Sequence, residues 1–208
     1  MLYPKVFKPL FDVSLALLVI MVLFPVFLLF TLLLFIANQG KPFFVQTRIG
    51  KNEKPFSIIK FKTMNDKKDA NGVLLPDTYR LTPVGKLVRK TSIDEIPQLI
   101  NILKGDMSLI GPRPLLPEYL GYYTKEEQKR HWVKPGITGL AQVNGRNFID
   151  WDTRLQLDVD YVENISFKTD FYILLKTIKN VLTSKDVSAD TTNVQPYLNK
   201  LRANKKLD

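Results

Sequence analysis

Two adjacent acidic residues, Asp94 and Glu95, lie in the densest cluster of reactive side chains, which extends from Arg89 to Asn101. Neighbouring side chains on a helix point about 100° apart, so the two carboxylates cannot act as a symmetric pair. They can divide the work, one attacking an electrophile while the other binds a cation or handles a proton. A structural alternative stays open, because Ser92 and Glu95 have the spacing of a capping box.

A second cluster is the tetrapeptide Gly111-Pro112-Arg113-Pro114. The two prolines restrict the backbone on both sides of Arg113. A guanidinium held in this way is a good bidentate clamp for a phosphate or a diphosphate. The alternative is a rigid turn whose arginine faces solvent.

A third cluster, residues 135–147, combines glycines with polar side chains that include Gln142 and Arg146. Glycines let a backbone approach a ligand closely. The segment lacks the Lys-Ser/Thr end of a P-loop, so ATP-type binding is not supported. Lys60, Arg89 and Arg146 are lesser candidates for the same anionic site.

Sequence patterns around these clusters predict an α/β protein, mostly α with a short β-hairpin. The hairpin is predicted from two β-rich runs, 43–49 and 56–61, across a turn-prone segment. An exposed loop is expected at 65–78, a short buried strand or turn at 107–114, and a loop-rich region at 136–145. Apolar spacing predicts helices over residues 83–90 and 94–104. A helix of polar character is expected over 115–131, and further helices over 150–163 and 167–183. In the last of these, lysines oppose an apolar stripe, which suits either the bilayer surface or an ordinary core.

The run from Val13 to Ala37 contains no charged residue and is long enough for a membrane-spanning helix. Pro25 divides it into two predicted halves joined at a bend. Basic residues flank both ends, and such residues collect on the cytoplasmic side. These features favour a re-entrant hairpin over a kinked span or a cleaved signal peptide. Asp12, at the entry, is expected to pair with Lys5 or Lys8, or else to be a plain interfacial charge.

Composition narrows the classes of function. The 208 residues carry 30 Lys and Arg against 20 Asp and Glu, a net charge of +10, which predicts an anionic partner. Dispersed basic residues beside an apolar anchor favour lipid headgroups or phosphates, and not nucleic acid. The absence of cysteine and the single histidine, His131, exclude cysteine-ligated zinc and multi-histidine metal clusters. The predicted organisation is a membrane anchor (1–40), one catalytic domain (41–183) and a polar tail (184–208).

Several motifs, in this order, resemble the bacterial sugar transferase family, the small monotopic phosphoglycosyl transferases. The likeness extends from the N-terminal anchor to about residue 183, and its motifs are Lys60 to Met64, Arg89 to Leu99, Leu103 to Pro114, Lys134 to Arg146 and Leu157 to Val162. It implies transfer of a sugar-1-phosphate from a UDP-sugar to polyprenyl (undecaprenyl) phosphate, with release of UMP. This is the first membrane step of glycoconjugate assembly, at the cytoplasmic face of the bacterial inner membrane.

The same resemblance implies roles for individual residues. Asp94 would be the nucleophile that forms a covalent phosphosugar intermediate, Glu95 its partner, and the two would hold Mg²⁺. Substrate-binding roles are implied for Lys60, Lys62, Arg89, Pro112, Arg113, Pro114, Gln142, Arg146 and Asp158. Residues 184–192 resemble the end of the di-N-acetylbacillosamine phosphate transferases of protein glycosylation, although any acetylated amino sugar stays open as the donor. The oligomeric state, a homodimer included, is also open.

Two other classes of protein remain as alternatives. One is a non-catalytic membrane-bound scaffold in which Asp94 and Glu95 cap a helix and Arg113 stiffens a turn. The other is a basic peripheral protein that binds anionic lipid or nucleic acid.

Overall fold

The computed structural model describes residues 2–145, 149–183 and 196–203. Within these ranges the chain is mostly helical, with four short strands in two separate pairs. The mostly helical fold with a short hairpin that the sequence predicts is confirmed.

The apolar N-terminal run forms one long helix. A π-helical turn at Tyr3–Phe7 leads into α1, Lys8–Ala37. This helix continues through Pro25, so the two helical halves expected from the sequence form one element. Its most apolar window has a mean hydropathy of 3.1 and is only 11% buried, whereas the core helix of a soluble protein is mostly buried. By length and composition α1 can cross a membrane.

Two charged residues at the start of α1 are buried against the rest of the protein. Lys8 Nζ donates a hydrogen bond to Asp170 Oδ2 at 2.8 Å, and Ser108 Oγ donates one to Asp12 Oδ2 at 2.6 Å. Lys8 Nζ also lies 3.8 Å from Asp12 Oδ2. The predicted pairing of Asp12 with Lys8 is therefore confirmed, and the alternative of a plain interfacial charge is wrong.

The predicted hairpin follows α1. Strands β1, Phe43–Ile49, and β2, Pro55–Phe61, pair antiparallel, with Phe43 opposite Phe61 and Ile49 opposite Pro55. The connection is a 3₁₀ turn at Lys51–Glu53. Side chains directly opposite each other lie on the same face of the pair.

The next helices lie close to the acidic cluster. They are α2, Asp77–Arg80, then α3, Pro83–Lys90, which matches the prediction, and α4, Gln98–Leu103. The single helix expected over 94–104 is wrong, because a separate 3₁₀ turn, Ile93–Glu95, precedes α4. Pro97 stands at the N-cap of α4 and has no amide hydrogen to continue a helical ladder.

The helix predicted over 115–131 is also wrong. The chain forms 3₁₀ turns at Pro117–Tyr122 and Lys129–Trp132 on either side of α5, Lys125–Gln128. Thr124 is extended, and with Glu127 it forms a capping box that starts α5 anew. A local start signal at Thr124 therefore divides the segment predicted to form one helix.

A parallel strand pair joins the second and third sequence clusters. Strand β3, Ser108–Ile110, pairs with β4, Gly136–Thr138, and α6, Leu140–Val143, follows. The loop-rich region predicted here therefore contains two short elements. The backbones approach so closely that a Cβ on Gly136 would lie 2.1 Å from the amide nitrogen of Gly111.

The remaining helices are α7, Trp151–Glu163, α8, Phe167–Leu182, and α9, Leu198–Arg202. The first two match the predictions closely, and each begins at a side-chain cap, Asp150 and Ser166. Helix α8 buries Ile173 in the core and exposes a second apolar stripe formed by Phe167, Phe171, Leu175, Ile178 and Leu182. Helix α8 therefore has one apolar face that packs in the core and a second, exposed apolar face that suits the bilayer surface.

Asn101 ties β2 to α4. Its Oδ1 accepts a hydrogen bond from the amide of Ile59 at 3.1 Å, and its Nδ2 donates one to the carbonyl of Ser57 at 2.8 Å. The residue is fully buried. The side chain of Asn101 therefore bonds two backbone groups at the edge of β2 and fixes that strand beside α4.

We expect Asn101→Ala to lower the free energy of unfolding by about 2–4 kcal/mol, because two backbone groups would lose their partner in a buried position. Thermal denaturation in detergent measures this. The control Asn71→Ala removes the same side chain from an exposed loop, so its effect should stay within about 0.5 kcal/mol. Equal melting temperatures for wild type and Asn101→Ala would contradict this role.

Candidate active site

The two acidic residues lie on the 3₁₀ turn between α3 and α4. Ser92, just before it, is in the left-handed region (φ 57°) and makes no side-chain capping bond. The capping box suggested by Ser92 and Glu95 is therefore wrong. The carboxylate of Glu95 binds two cations instead.

Glu95 is clamped by residues from two other segments. Its Oε1 accepts hydrogen bonds from Lys60 Nζ on β2 at 2.8 Å and from Arg113 Nη2 at 3.0 Å. Burial by itself would raise the pKa of Glu95, but the charges and hydrogen bonds of Lys60 and Arg113 outweigh it and hold that pKa well below its usual range. Glu95 is therefore ionised and fixed in position.

Asp94 is in the opposite situation. Among the described residues its carboxylate makes neither a hydrogen bond nor a salt bridge. Burial and the adjacent Glu95 carboxylate raise the pKa of Asp94 to about 6, against the opposing charges of Lys60, Arg113 and Arg89. The site thus holds one locked carboxylate beside one that is free to react.

Arg113 is held from behind by a buried ion pair. Arg130 Nη2 donates to the backbone carbonyl of Arg113 at 2.7 Å and to Asp158 Oδ2 at 2.8 Å. Burial and Arg130 lower the pKa of the neighbouring His131 to about 3, so this histidine is neutral. The structure places Asp158 behind the site, 1% exposed, where it orients Arg130.

The other predicted residues divide between the site and its surroundings. Arg89 Nε donates to Thr63 Oγ1 at 2.9 Å and contributes positive charge near Asp94. Lys62 pairs with Asp66 on the exposed loop. Gln142 is buried in α6. Pro112 and Pro114 are buried around Arg113, and Arg146 lies outside the described residues.

Two arginines near the site were missed by sequence reasoning. Arg130 supports the Arg113 turn from behind, and Arg48 on β1 lies close enough to Arg113 for the two charges to repel. Neither belongs to a group of reactive side chains in the sequence. Only the three-dimensional proximity to Arg113 reveals them.

Metal-binding groups are sparse in the described ranges. No set of three or more His, Asp or Glu side chains there could hold a metal ion. Asp94 and Glu95 together offer two hard oxygen ligands, which suits a cation that also binds an anionic substrate. Such an arrangement is typical of an enzyme that acts on a phosphorylated compound.

Comparisons with known proteins agree with this class. Residues 3–184 match the family model described as bacterial sugar transferase. The chain is 51% identical to the uncharacterized sugar transferase EpsL of Bacillus subtilis, over 88% of this chain and 90% of that protein. It is 40% identical to the undecaprenyl-phosphate galactose phosphotransferase of Salmonella typhimurium, over 70% of this chain and 34% of that protein.

A third relative is the UDP-N-acetylgalactosamine-undecaprenyl-phosphate N-acetylgalactosaminephosphotransferase of Aeromonas hydrophila. It is 38% identical over 83% of this chain and 43% of the relative. The chain therefore belongs to the bacterial sugar transferase family, and it is a membrane-associated transferase.

The raised pKa of Asp94 has a consequence for stability. The value of about 6 in the folded protein lies above the ordinary value of 3.8, so folding favours the protonated form between these two pH values. The wild type should lose stability as the pH rises from about 4 to about 6. Asp94→Asn cannot ionise, and its melting temperature should exceed that of the wild type by a margin that grows over this window and then stays constant.

Thermal melts of both proteins between pH 4 and pH 8 test this prediction. Glu118→Gln serves as the control, because Glu118 is exposed and makes no ion pair among the described residues. Its melting curve should follow that of the wild type. A difference between Asp94→Asn and wild type that does not change with pH would show that Asp94 has an ordinary pKa.

Proposed function

We propose that this protein transfers a sugar-1-phosphate from a UDP-sugar to polyprenyl phosphate through a covalent intermediate on Asp94. The observation that carries the proposal is the contrast between the two carboxylates. Lys60 and Arg113 engage Glu95, whereas Asp94 has no hydrogen-bonding partner among the described residues. A carboxylate of this kind is a competent nucleophile toward phosphorus.

Two displacements complete the proposed reaction. In the first, an Asp94 carboxylate oxygen forms a bond to the phosphorus that carries the sugar, and the bond from this phosphorus to UMP breaks. In the second, a phosphate oxygen of the lipid attacks the same phosphorus and the Asp94 carboxylate leaves. The product is a polyprenyl diphosphate sugar, and the enzyme returns to its starting form.

The acidic pair fits a magnesium ion. Mg²⁺ is often bound by one or two carboxylates together with substrate phosphates, and Asp94 and Glu95 are two carboxylates on one 3₁₀ turn. When bound, Mg²⁺ would neutralise charge on the phosphates. Arg113 and Lys60 supply further positive charge and orient Glu95.

For the donor we propose an N-acetylated amino sugar, with UDP-N,N'-diacetylbacillosamine as the specific candidate. Support comes from the resemblance of residues 184–192, which lie outside the described ranges. The relatives from Salmonella typhimurium and Aeromonas hydrophila are named for galactose and N-acetylgalactosamine. A panel of UDP-sugars therefore belongs in the test.

We further propose that α1 enters and leaves the membrane on one face, the cytoplasmic face of the inner membrane. Contacts with the domain at both ends of this helix support a re-entrant arrangement. Lys8 binds Asp170 near one end, while Leu34 is buried near the other and Asn38 Nδ2 donates to the carbonyl of Lys62 at 2.6 Å. A helix that crossed the bilayer would have to separate these contacts.

The exposed stripe of α8 supports the same arrangement. Exposed apolar patches on a helix with lysines nearby suit the membrane surface. The ring of Phe167, at the start of this stripe, packs edge-on against Tyr3 with 6.1 Å between centroids. The stripe is thus continuous with the N-terminal anchor, and we propose that α8 lies at the lipid headgroups.

A burst experiment tests the function. UDP-sugar and Mg²⁺ alone should release UMP in an amount roughly equal to that of the enzyme, because the first displacement needs no lipid. Polyprenyl phosphate should then discharge the intermediate. Since protonation removes the nucleophile, the burst rate should fall about tenfold per pH unit below the pKa of Asp94. UMP release from each UDP-sugar of the panel identifies the donor.

Asp94→Asn should show no burst, while Glu118→Gln should match the wild type. Release of UMP only when lipid is present, with no adduct on Asp94, would favour direct transfer in a ternary complex. No UMP with any donor of the panel would support the non-catalytic scaffold.

Labelling of single cysteines tests the membrane arrangement, which is feasible because the chain has no cysteine of its own. Lys5→Cys and Lys41→Cys flank α1 at exposed positions and should react equally from the cytoplasmic side. Lys54→Cys, on the hairpin, marks the side of the domain. Reaction of Lys5→Cys from the opposite side would establish a crossing helix.

A further inference from the structure

Arg48 lies on the face of the hairpin that points toward the acidic pair. In the register of β1 and β2, Phe44 is opposite Lys60 and Arg48 is opposite Phe56. Side chains alternate between faces along a strand, so Arg48 shares a face with Lys60, the residue that clamps Glu95.

The surroundings of Arg48 contain no acidic partner. Its Nη2 donates to Gln46 Oε1 at 2.6 Å, and it forms no salt bridge among the described residues. Besides Arg113, the titratable groups that act on Arg48 are the phenols of Tyr119 and Tyr197. Burial and the charge of Arg113 lower the pKa of Arg48, so this guanidinium is held half-buried against an electrostatic cost.

The backbone fixes the two arginines relative to each other. The amide of Ile49, next to Arg48, donates to the carbonyl of Leu115 at 3.1 Å, just beyond Pro114. Arg130 fixes the carbonyl of Arg113 from the other side. The proximity of two like charges is therefore built into the fold.

Positive charge exceeds negative charge around the acidic pair. The charges of Lys60, Arg113 and Arg89 act on Asp94, and Arg48 adds a further positive charge beside Arg113. Arg113 and Lys60 share Glu95, whereas Arg89 donates to Thr63 and Arg48 to Gln46, and neither forms a salt bridge in the described part of the chain. Of these two guanidinium groups, Arg48 is the one whose pKa is lowered, by burial and by the charge of Arg113. A bidentate anionic ligand would relieve the repulsion between Arg48 and Arg113.

We propose that Arg48, oriented by Gln46, binds the diphosphate of the nucleotide-sugar on the side that leaves with UMP. The inference rests on the proposed function and adds a donor-binding residue to it. Gln46 accepts one N–H of the guanidinium, which leaves other donors for phosphate oxygens.

The test compares Arg48→Gln with the matched control Lys54→Gln, which removes one positive charge from the exposed tip of the same hairpin. UDP is the probe, and its affinity is measured by calorimetry on the full-length protein in detergent. Arg48→Gln should weaken UDP binding and raise the KM for the donor by roughly tenfold to a hundredfold, the effect of losing a hydrogen bond to a charged group. Arg48→Lys should recover only part of the loss, because an ammonium lacks the bidentate fork.

The second half-reaction separates donor binding from a structural role. Once UMP has left, discharge of the preformed intermediate by polyprenyl phosphate should proceed in Arg48→Gln at the wild-type rate. Slowing of this step, unchanged UDP affinity, or a similar loss in Lys54→Gln would each overturn the inference. Failure of the wild type to release UMP at all would instead overturn the proposed function.

Discussion

The ion cluster of Lys60, Glu95 and Arg113 joins three segments that are distant in the sequence. A strand, a 3₁₀ turn and a proline-bounded turn each contribute one member, with both cations within 3.0 Å of a single carboxylate oxygen. Lys60 and Glu95 are mostly buried, whereas the Arg113 side chain is 43% exposed, so solvent screens the Arg113 pair more than the Lys60 pair. The same cluster leaves Asp94 without a cation of its own. The ion cluster that joins these three segments thus also determines which of the two carboxylates is free to react.

The surrounding contacts serve to hold this cluster. Asn101 fixes β2 and with it Lys60, while Arg130 and Asp158 fix the turn that carries Arg113. Asn101 is uncharged and Arg130 is paired with Asp158, so these residues add little net charge near Asp94. Chemistry is confined to the few groups that face Asp94.

Much of the fold could be predicted from the sequence, but less of the site. The hairpin, α3, α7 and α8 follow from strong periodicity with clear turn or cap signals. The helix expected over 115–131 fails because Thr124 starts a new helix through a local hydrogen bond that apolar spacing does not reveal. The acidic pair and Arg113 stand in recognisable clusters, whereas Arg48 and Arg130 are isolated arginines. Their roles depend on contacts between distant segments, which one sequence does not display.

The bond between Lys8 and Asp170 spans 162 positions of the chain. A ribosome that adds about 5–20 residues per second needs roughly 8 to 32 seconds to produce the second partner after the first. During that interval Lys8 and Asp12 have already been made, but the acid that also binds Tyr3 and Tyr161 does not yet exist. Until Asp170 is made, Lys8 and Asp12 have each other as partners, because they lie one turn apart on α1. Docking of the finished domain then adds Asp170 to this pair.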